Sequence, residues 1–222
     1  MESAAKRAKT QDSSSDSEMT SQVAKASAGR LGSGTFFLVC DVQVTDRFRS
    51  VIHNMDHVIA SSSFLVEAAK LLDVKCIFTE QNPDKLGATC EEISTDGFPV
   101  YPKTKFSMLT PEVRAELAKP KTEERTCVLF GIESHVCVYQ TAMDLLAEKE
   151  FDVHIVTDAV SSSRPIYRDT ALQRLKEQGA YLTTSETVLF DIMRDSSHPN
   201  FRQISKLIKE HNQKLAKLQS TL

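Results

Sequence analysis

Three reactive side chains each stand just past a short apolar run. Asp41 follows Phe36-Phe37-Leu38-Val39-Cys40, Lys103 follows Pro99-Val100-Tyr101, and Cys137 lies a short turn beyond Cys127-Val128-Leu129-Phe130-Gly131. Such runs read as buried strands, and in an open parallel sheet ligands bind outside the carboxyl ends of the strands. An acid, an amine and a thiol far apart in the chain would then meet in one crevice. A thiol in the first turn of a helix feels the positive end of the macrodipole, and a nearby ammonium favours its thiolate. Free N–H groups in the turn would receive a developing oxyanion. The chemistry this suggests is hydrolysis, by a cysteine nucleophile or with assistance from the acid.

The elements that must position these groups alternate along the chain. Apolar runs fall at 35–40, 74–79, 98–101, 126–131, 153–157 and 180–183, and helical stretches at about 55–72, 111–118, 136–149, 166–178 and 185–193. Alternation of this kind predicts a three-layer α/β/α sandwich with a six-stranded parallel sheet. The runs are continuous rather than alternating in polarity, as strands covered on both faces should be. Right-handed crossovers place every carboxyl end on one edge. Thr183 with Glu186 fits a capping box before the helix at 185–193, Pro111 fits a first helical position, and Gly179 fits a helix C-cap. The stretch 201–218 has helical apolar spacing with a Lys-rich opposite face and reads as a surface helix on its own domain, or else as a dimer contact.

Composition narrows the class. The chain has 222 residues, 41% of them apolar, and a net charge of -3 with both signs interspersed, so no nucleic-acid footprint is expected. No run is long and apolar enough to span a membrane. Residues 1–33, rich in Ser, Ala, Lys and Gly, are expected to form a disordered tail, leaving 34–222 as the folded domain. Lys6-Arg7-Ala8-Lys9 is a short basic cluster that a solvated tail explains. The first thirty residues hold no apolar central segment, so no secretory signal peptide is expected. The five cysteines are odd in number and lack a CxxC pair, which fits a reduced, cytoplasmic protein. Cys90 is expected to be free and exposed.

Four segments in order resemble one family. They are Val39-Cys40-Asp41-Val42-Gln43, Pro102-Lys103-Thr104-Lys105-Phe106-Ser107-Met108, Gly131 through Cys137, and Asp158-Ala159-Val160-Ser161-Ser162. Over roughly residues 35–210 the chain resembles the isochorismatase-like, or cysteine hydrolase, superfamily. Thr79-Glu80-Gln81 and the segment from Thr184 to Pro199 look closest to its isochorismatase domain-containing proteins. The resemblance implies a catalytic triad of Asp41, Lys103 and Cys137, with Lys105 as a neighbour. It also implies a cis peptide at Ile132–Glu133 that helps aim the N–H groups of Glu133 and Cys137 into an oxyanion hole. A homo-oligomer, dimer or tetramer, is implied by the family alone.

Two chemistries fit that triad. In one, Asp41 takes the thiol proton, Lys103 supports the thiolate and Cys137 attacks an amide or similar carbonyl. In the other, the substrate is isochorismate, whose vinyl ether Asp41 would protonate; water then captures the oxocarbenium ion, giving pyruvate and 2,3-dihydroxy-2,3-dihydrobenzoate. The second is the preferred expectation. It would deplete a salicylate precursor, and in an organism that infects plants it suggests unconventional export into the host. A catalytically weak scaffold protein is the rival from another class. The metal motif of the family's nicotinamidases is missing from Glu80 to Gly87, so neither metal nor cofactor is expected. The spacing from Asp41 to Phe48 is longer than the family's usual one.

Other residues carry open readings. Gln43, Phe48, Phe106 and Ser107 line the pocket, or the two aromatics are core. Glu80 and Gln81 contact substrate or form a turn. His135 contacts a substrate carboxylate or fills the cysteine loop. His53 and His57, at i and i+4, would share a helical face, and ordinary surface histidines explain them.

Overall fold

The computed structural model describes residues 31–32, 34–43, 46–119 and 125–219, without the side chains of 46–48. Six strands run in order: β1 (Thr35–Cys40), β2 (Lys75–Gln81), β3 (Val100–Lys103), β4 (Thr126–Ile132), β5 (Asp152–Ser161) and β6 (Tyr181–Thr183). Between them lie α1 (Asp46–Val51), α2 (Met55–Leu72), α3 (Pro83–Leu86), α4 (Pro111–Leu117), α5 (Cys137–Glu148), α6 (Pro165–Glu177), α7 (Ser185–Met193) and α8 (Phe201–Gln219). The strands form a single sheet in the order β3-β2-β1-β4-β5-β6, and every pairing is parallel. This is the expected six-stranded parallel α/β fold.

The continuous apolar runs explain the centre of the sheet. Every residue of β1 and β4 is buried, as strands covered on both faces should be. Phe37 and Phe130 meet edge to face across this pair, with ring centroids 5.9 Å apart. The strand order reverses direction between β1 and β4, which opens a crevice at their carboxyl ends. Asp41 follows β1 and Cys137 follows β4 by one short turn.

Several sequence expectations shift by a residue or two. β2 and β3 run two residues further than their apolar runs, so Gln81 and Lys103 become register partners at the end of the sheet. β6 takes in Thr183, so the cap of α7 passes to Thr184, whose hydroxyl accepts from Thr187 N at 3.4 Å; the expected capping box at Thr183 is not formed. α2 begins at Met55, as expected, after a left-handed Asn54 (φ 53°); this leaves His53 in the preceding turn, off the helical face it was expected to share with His57. Thr110 caps α4 with Pro111 at its first turn, and Gly179 turns with φ 102° just after α6.

Most of the expected tail, 1–30 and 33, lies outside the described residues, as does the basic cluster at 6–9. Leu31, assigned to that tail by composition, is instead buried in the core, with its N–H on Asp191 Oδ2 at 3.0 Å. α8 lies on α2, burying Ile204 and His211, and the His211 ring stacks on Phe64 at 4.2 Å. Among the described residues no helix is long and apolar enough to cross a membrane.

Candidate active site

β1 ends and the chain turns sharply at Asp41, which adopts a left-handed backbone (φ 50°), a conformation Asp tolerates better than most residues. Its carboxylate is held from both sides. Thr79 Oγ1, at the end of β2, donates to Oδ1 at 2.7 Å, and Lys103 Nζ, at the end of β3, donates to Oδ2 at 2.7 Å. The Lys103 side chain is fully shielded and that of Asp41 is 5% exposed, so this is a dry ion pair. Burial lowers the lysine's affinity for its proton, but the charges of Cys40, Asp41 and Cys137 outweigh it and leave Lys103 above the ordinary lysine value.

Lys103 is saturated. Beyond Asp41, its ammonium reaches Gln81 Oε1 at 2.7 Å, the Phe106 carbonyl at 3.0 Å and the Lys105 carbonyl at 3.1 Å. Four acceptors surround three N–H donors, so Lys103 acts as a fixed positive charge rather than as a donor to substrate. Gln81 is oriented in turn by its own Nε2, which donates to the Thr104 carbonyl at 2.8 Å. Lys105, the neighbouring lysine, points elsewhere and pairs with exposed Asp144 at 3.2 Å.

Cys137 is the first residue of α5 and is 7% exposed. The loop before it contains the expected cis peptide, Ile132–Glu133. Ser134 N and Oγ donate to the Ser161 carbonyl at 2.8 and 2.9 Å, tying this loop to the end of β5. The Glu133 carbonyl accepts from Val136 N and Val138 N. The N–H groups of Glu133 and Cys137 themselves meet no acceptor among the described residues. Cys137 stands at the positive end of a twelve-residue helix, an environment that favours an anion.

Asp41 and Cys137 open onto one cavity of about 180 Å³, whose walls are Gln43, Gln81, Leu86, Phe106, Ile132, Glu133 and Val136. Its size falls below the ~300–1,000 Å³ of sites for drug-sized ligands. Phe106 is half exposed and forms the rim. Gln43 lines the wall, yet its amide is committed: Oε1 accepts from Gln81 N at 2.7 Å and Nε2 donates to the Gly87 and Gln81 carbonyls at 2.5 and 3.1 Å. It braces the wall.

Three expected substrate contacts lie outside the cavity. Glu80 turns to Thr89, accepting from its N–H at 2.7 Å and its hydroxyl at 2.9 Å. Ser107 is buried and accepts from Leu109 N at 3.2 Å, fixing the turn after Lys103. His135 points to Ser162 Oγ at 3.0 Å and packs against Tyr167 in a neighbouring surface depression. The side chain of Phe48 lies outside the described residues.

Two members of the cluster escaped sequence reasoning. Thr79 and Cys40 are register partners on adjacent strands, and both look like ordinary strand residues. The signal for Thr79 was its place at the end of the apolar run in β2, level with the residue before Asp41. Cys40 donates its thiol proton to Asp41 Oδ2 at 3.7 Å. Burial first, then a hydrogen bond with Cys137 and the charge of Asp41, holds the Cys40 thiol well above the ordinary cysteine value. Cys90, expected at the surface, is buried, and burial pushes its thiol up to about 12.

Comparison with known proteins points to one family. The isochorismatase domain family matches residues 35–187. Over 178 residues the chain is 45% identical to the secreted isochorismatase effector Isc1 of Phytophthora sojae (strain P6497), covering 78% of this chain and 83% of that protein. It is 44% identical over 184 residues to isochorismatase domain-containing protein 2 of Xenopus laevis, covering 82% and 87%. Among solved structures, the MAR1 ribonuclease from Caenorhabditis elegans superposes with a TM-score of 0.74 at 38% identity, over 81% of this chain and 92% of that one.

Proposed function

This chain belongs to the isochorismatase family of hydrolases, and from that premise we propose that it hydrolyses a small carbonyl compound, an amide in the first instance, with Cys137 as nucleophile. One observation carries the reading: Cys137 and Asp41 open onto the same small cavity, and the N–H groups of Glu133 and Cys137 beside it meet no acceptor among the described residues. Asp41 takes the thiol proton, and the thiolate adds to the substrate carbonyl. The N–H groups of Glu133 and Cys137 hold the oxyanion. Asp41 then passes its proton to the leaving amine, and water, deprotonated by Asp41, cleaves the thioester. Asp41 gives that last proton to the departing Cys137 sulfur, which restores thiol and carboxylate, and Lys103 stays charged beside it throughout. A cavity of about 180 Å³ suits a molecule of few heavy atoms better than a polymer such as the RNA named for the nematode relative.

Isochorismate is the second reading, favoured by the name of the Phytophthora relative. It requires Asp41 to enter the reaction as the protonated acid. Against it, Asp41 accepts from Lys103, Thr79 and Cys40 together, so both of its oxygens already face donors. The two readings separate in one panel. Wild type is offered small amides, with ammonia followed, and isochorismate, with pyruvate followed. Cys137→Ala abolishes amide turnover under the first reading. Under the second, pyruvate release survives in Cys137→Ala and disappears in Asp41→Ala.

A further inference from the structure

A second cavity, of about 400 Å³, lies between α2, the end of β5, the start of α6 and the C-terminal end of α8, and shares no residue with the cavity of Cys137. Its volume falls within the ~300–1,000 Å³ of small-molecule sites. The sheet itself opens it. From Ile155 to Val160 β5 advances five residues, while its partner β4 advances two, from Leu129 to Gly131. Thr157 and Asp158 belong to that surplus and line the cavity. On the other side the left-handed Asn54 sets His53 in the turn before α2, and His53 and His57 meet at the cavity although they share no helical face.

In the cavity of Cys137 the side-chain amides are committed to the protein; here most polar groups are not. Ser61, on α2, is 1% exposed and lines the cavity, and its Oγ has no hydrogen-bond partner among the described residues. Buried hydroxyls are nearly always partnered, so this one points to a polar group held in the cavity. The side chains of His53, Asn54, His57 and Gln219 also make no hydrogen bond or ion pair among the described residues. Charge then selects the ligand. Arg168 is committed: Nε donates to the Val160 carbonyl at 3.1 Å, one outer nitrogen donates to the Thr157 carbonyl, and the other pairs with Asp169 at 3.0 Å. Asp158 accepts from Ser185 N at 2.8 Å and from Ser185 Oγ at 2.5 Å, both neutral donors, and no cation pairs with it among the described residues. A carboxylate offers about four acceptor sites, so Asp158 keeps room for a charged donor.

We propose that this cavity binds a small hydroxylated organic ammonium ion, its ammonium on Asp158 and one hydroxyl on Ser61. The ligand's other hydroxyls exchange hydrogen bonds with His53, Asn54, His57 and Gln219. A neutral polyol forfeits the charge-assisted bond to Asp158. An anion meets Asp158 with Arg168 already paired. The site uses neither Asp41 nor Cys137, so it stands or falls separately from the proposed hydrolysis.

The test is an NMR titration of the isotope-labelled full-length protein at pH 7.5 with three open-chain six-carbon polyols that differ in one end group: glucamine, an ammonium; sorbitol, a neutral alcohol; and gluconate, a carboxylate. Glucamine should give saturable shifts at the amides of Ser61 and Asp158. Sorbitol should bind about tenfold more weakly, the size of one hydrogen bond to a charged group, and gluconate more weakly still. Ser61→Ala should weaken glucamine by about tenfold, and Asp158→Asn, which keeps an oxygen for Ser185 N, should bring glucamine to the level of sorbitol. The proposal is overturned if glucamine shifts neither amide, if gluconate binds as tightly as glucamine, or if Ser61→Ala binds glucamine like wild type. Should a variant fail to fold, the ranking of the three polyols on wild type decides alone.

Discussion

Lys103 Nζ sits 2.7 Å from Asp41 Oδ2 with its side chain entirely out of solvent, so the candidate active site is built on an ion pair that has surrendered its hydration. Removing one partner of such a pair strands the other charge in the interior. Lys103→Met should therefore destabilise the fold by about 3–5 kcal/mol. Urea unfolding of the variant against wild type measures it. A loss below ~1 kcal/mol would mean that the pair is solvated in solution.

Thr79→Val tests the other side of the carboxylate. The change keeps the shape of the side chain and removes the hydroxyl that donates to Asp41 Oδ1 at 2.7 Å. Hydrogen bonds to charged groups are worth about 1.5–3 kcal/mol. The variant should lose that much stability in denaturant, less than Lys103→Met, and its midpoint should fall between the two proteins.

Gly131→Ala should be among the most damaging single substitutions outside the Asp41–Lys103 pair. The position combines φ +119° with an overlap against the backbone of Cys40. Strained φ alone costs ~1–3 kcal/mol, and the backbone overlap adds to it. Gly97→Ala is the control, with φ +84° but nothing near the added methyl. Thermal unfolding should show a much larger drop for Gly131→Ala, and equal drops would remove the close approach of β1 and β4 from the account.

Acid should weaken the fold through two buried imidazoles. Burial lowers the pKa of His154 despite the nearby charges of Asp152 and Asp191. It lowers that of His211 too, where Asp158 and Glu186 oppose the shift and Lys214 adds to it. Neither Nε2 has a partner among the described residues. Between the ordinary histidine value of about 6.5 and their lower folded values, the unfolded chain binds more protons than the folded one. Their contribution is complete above about pH 6.5 and is lost as pH falls through the folded values. His211→Phe keeps a ring stacked on Phe64 and removes one titration. Its midpoint should fall less steeply from about pH 7.5 to about pH 5.5 than that of wild type. An unchanged slope would take His211 out of the acid response.

The three reactive groups were legible because each stands just past an apolar run, and a parallel sheet collects such ends on one edge. What the sequence concealed depends on contacts between strands. Thr79 and Cys40 look like ordinary members of β2 and β1 until the register sets them side by side at Asp41. Gln81 and Lys103 read as loop residues because polar side chains at strand ends break the apolar pattern, yet both belong to the sheet. Glu80, Ser107 and His135 sit close in sequence to site residues but satisfy their polar atoms locally, with Thr89, Leu109 and Ser162. The helix starts at Met55 as expected, but His53 lies in the turn before a left-handed Asn54, so the i, i+4 spacing of His53 and His57 does not become a shared helical face.

The most direct measurement is kcat/KM of Cys137→Ala beside wild type on whichever substrate of the panel is turned over. A nucleophilic sulfur predicts loss of turnover to the background rate, with the variant still folded by circular dichroism. A folded Cys137→Ala that works as fast as wild type would show that the thiol is a bystander and contradict the mechanism proposed for this site.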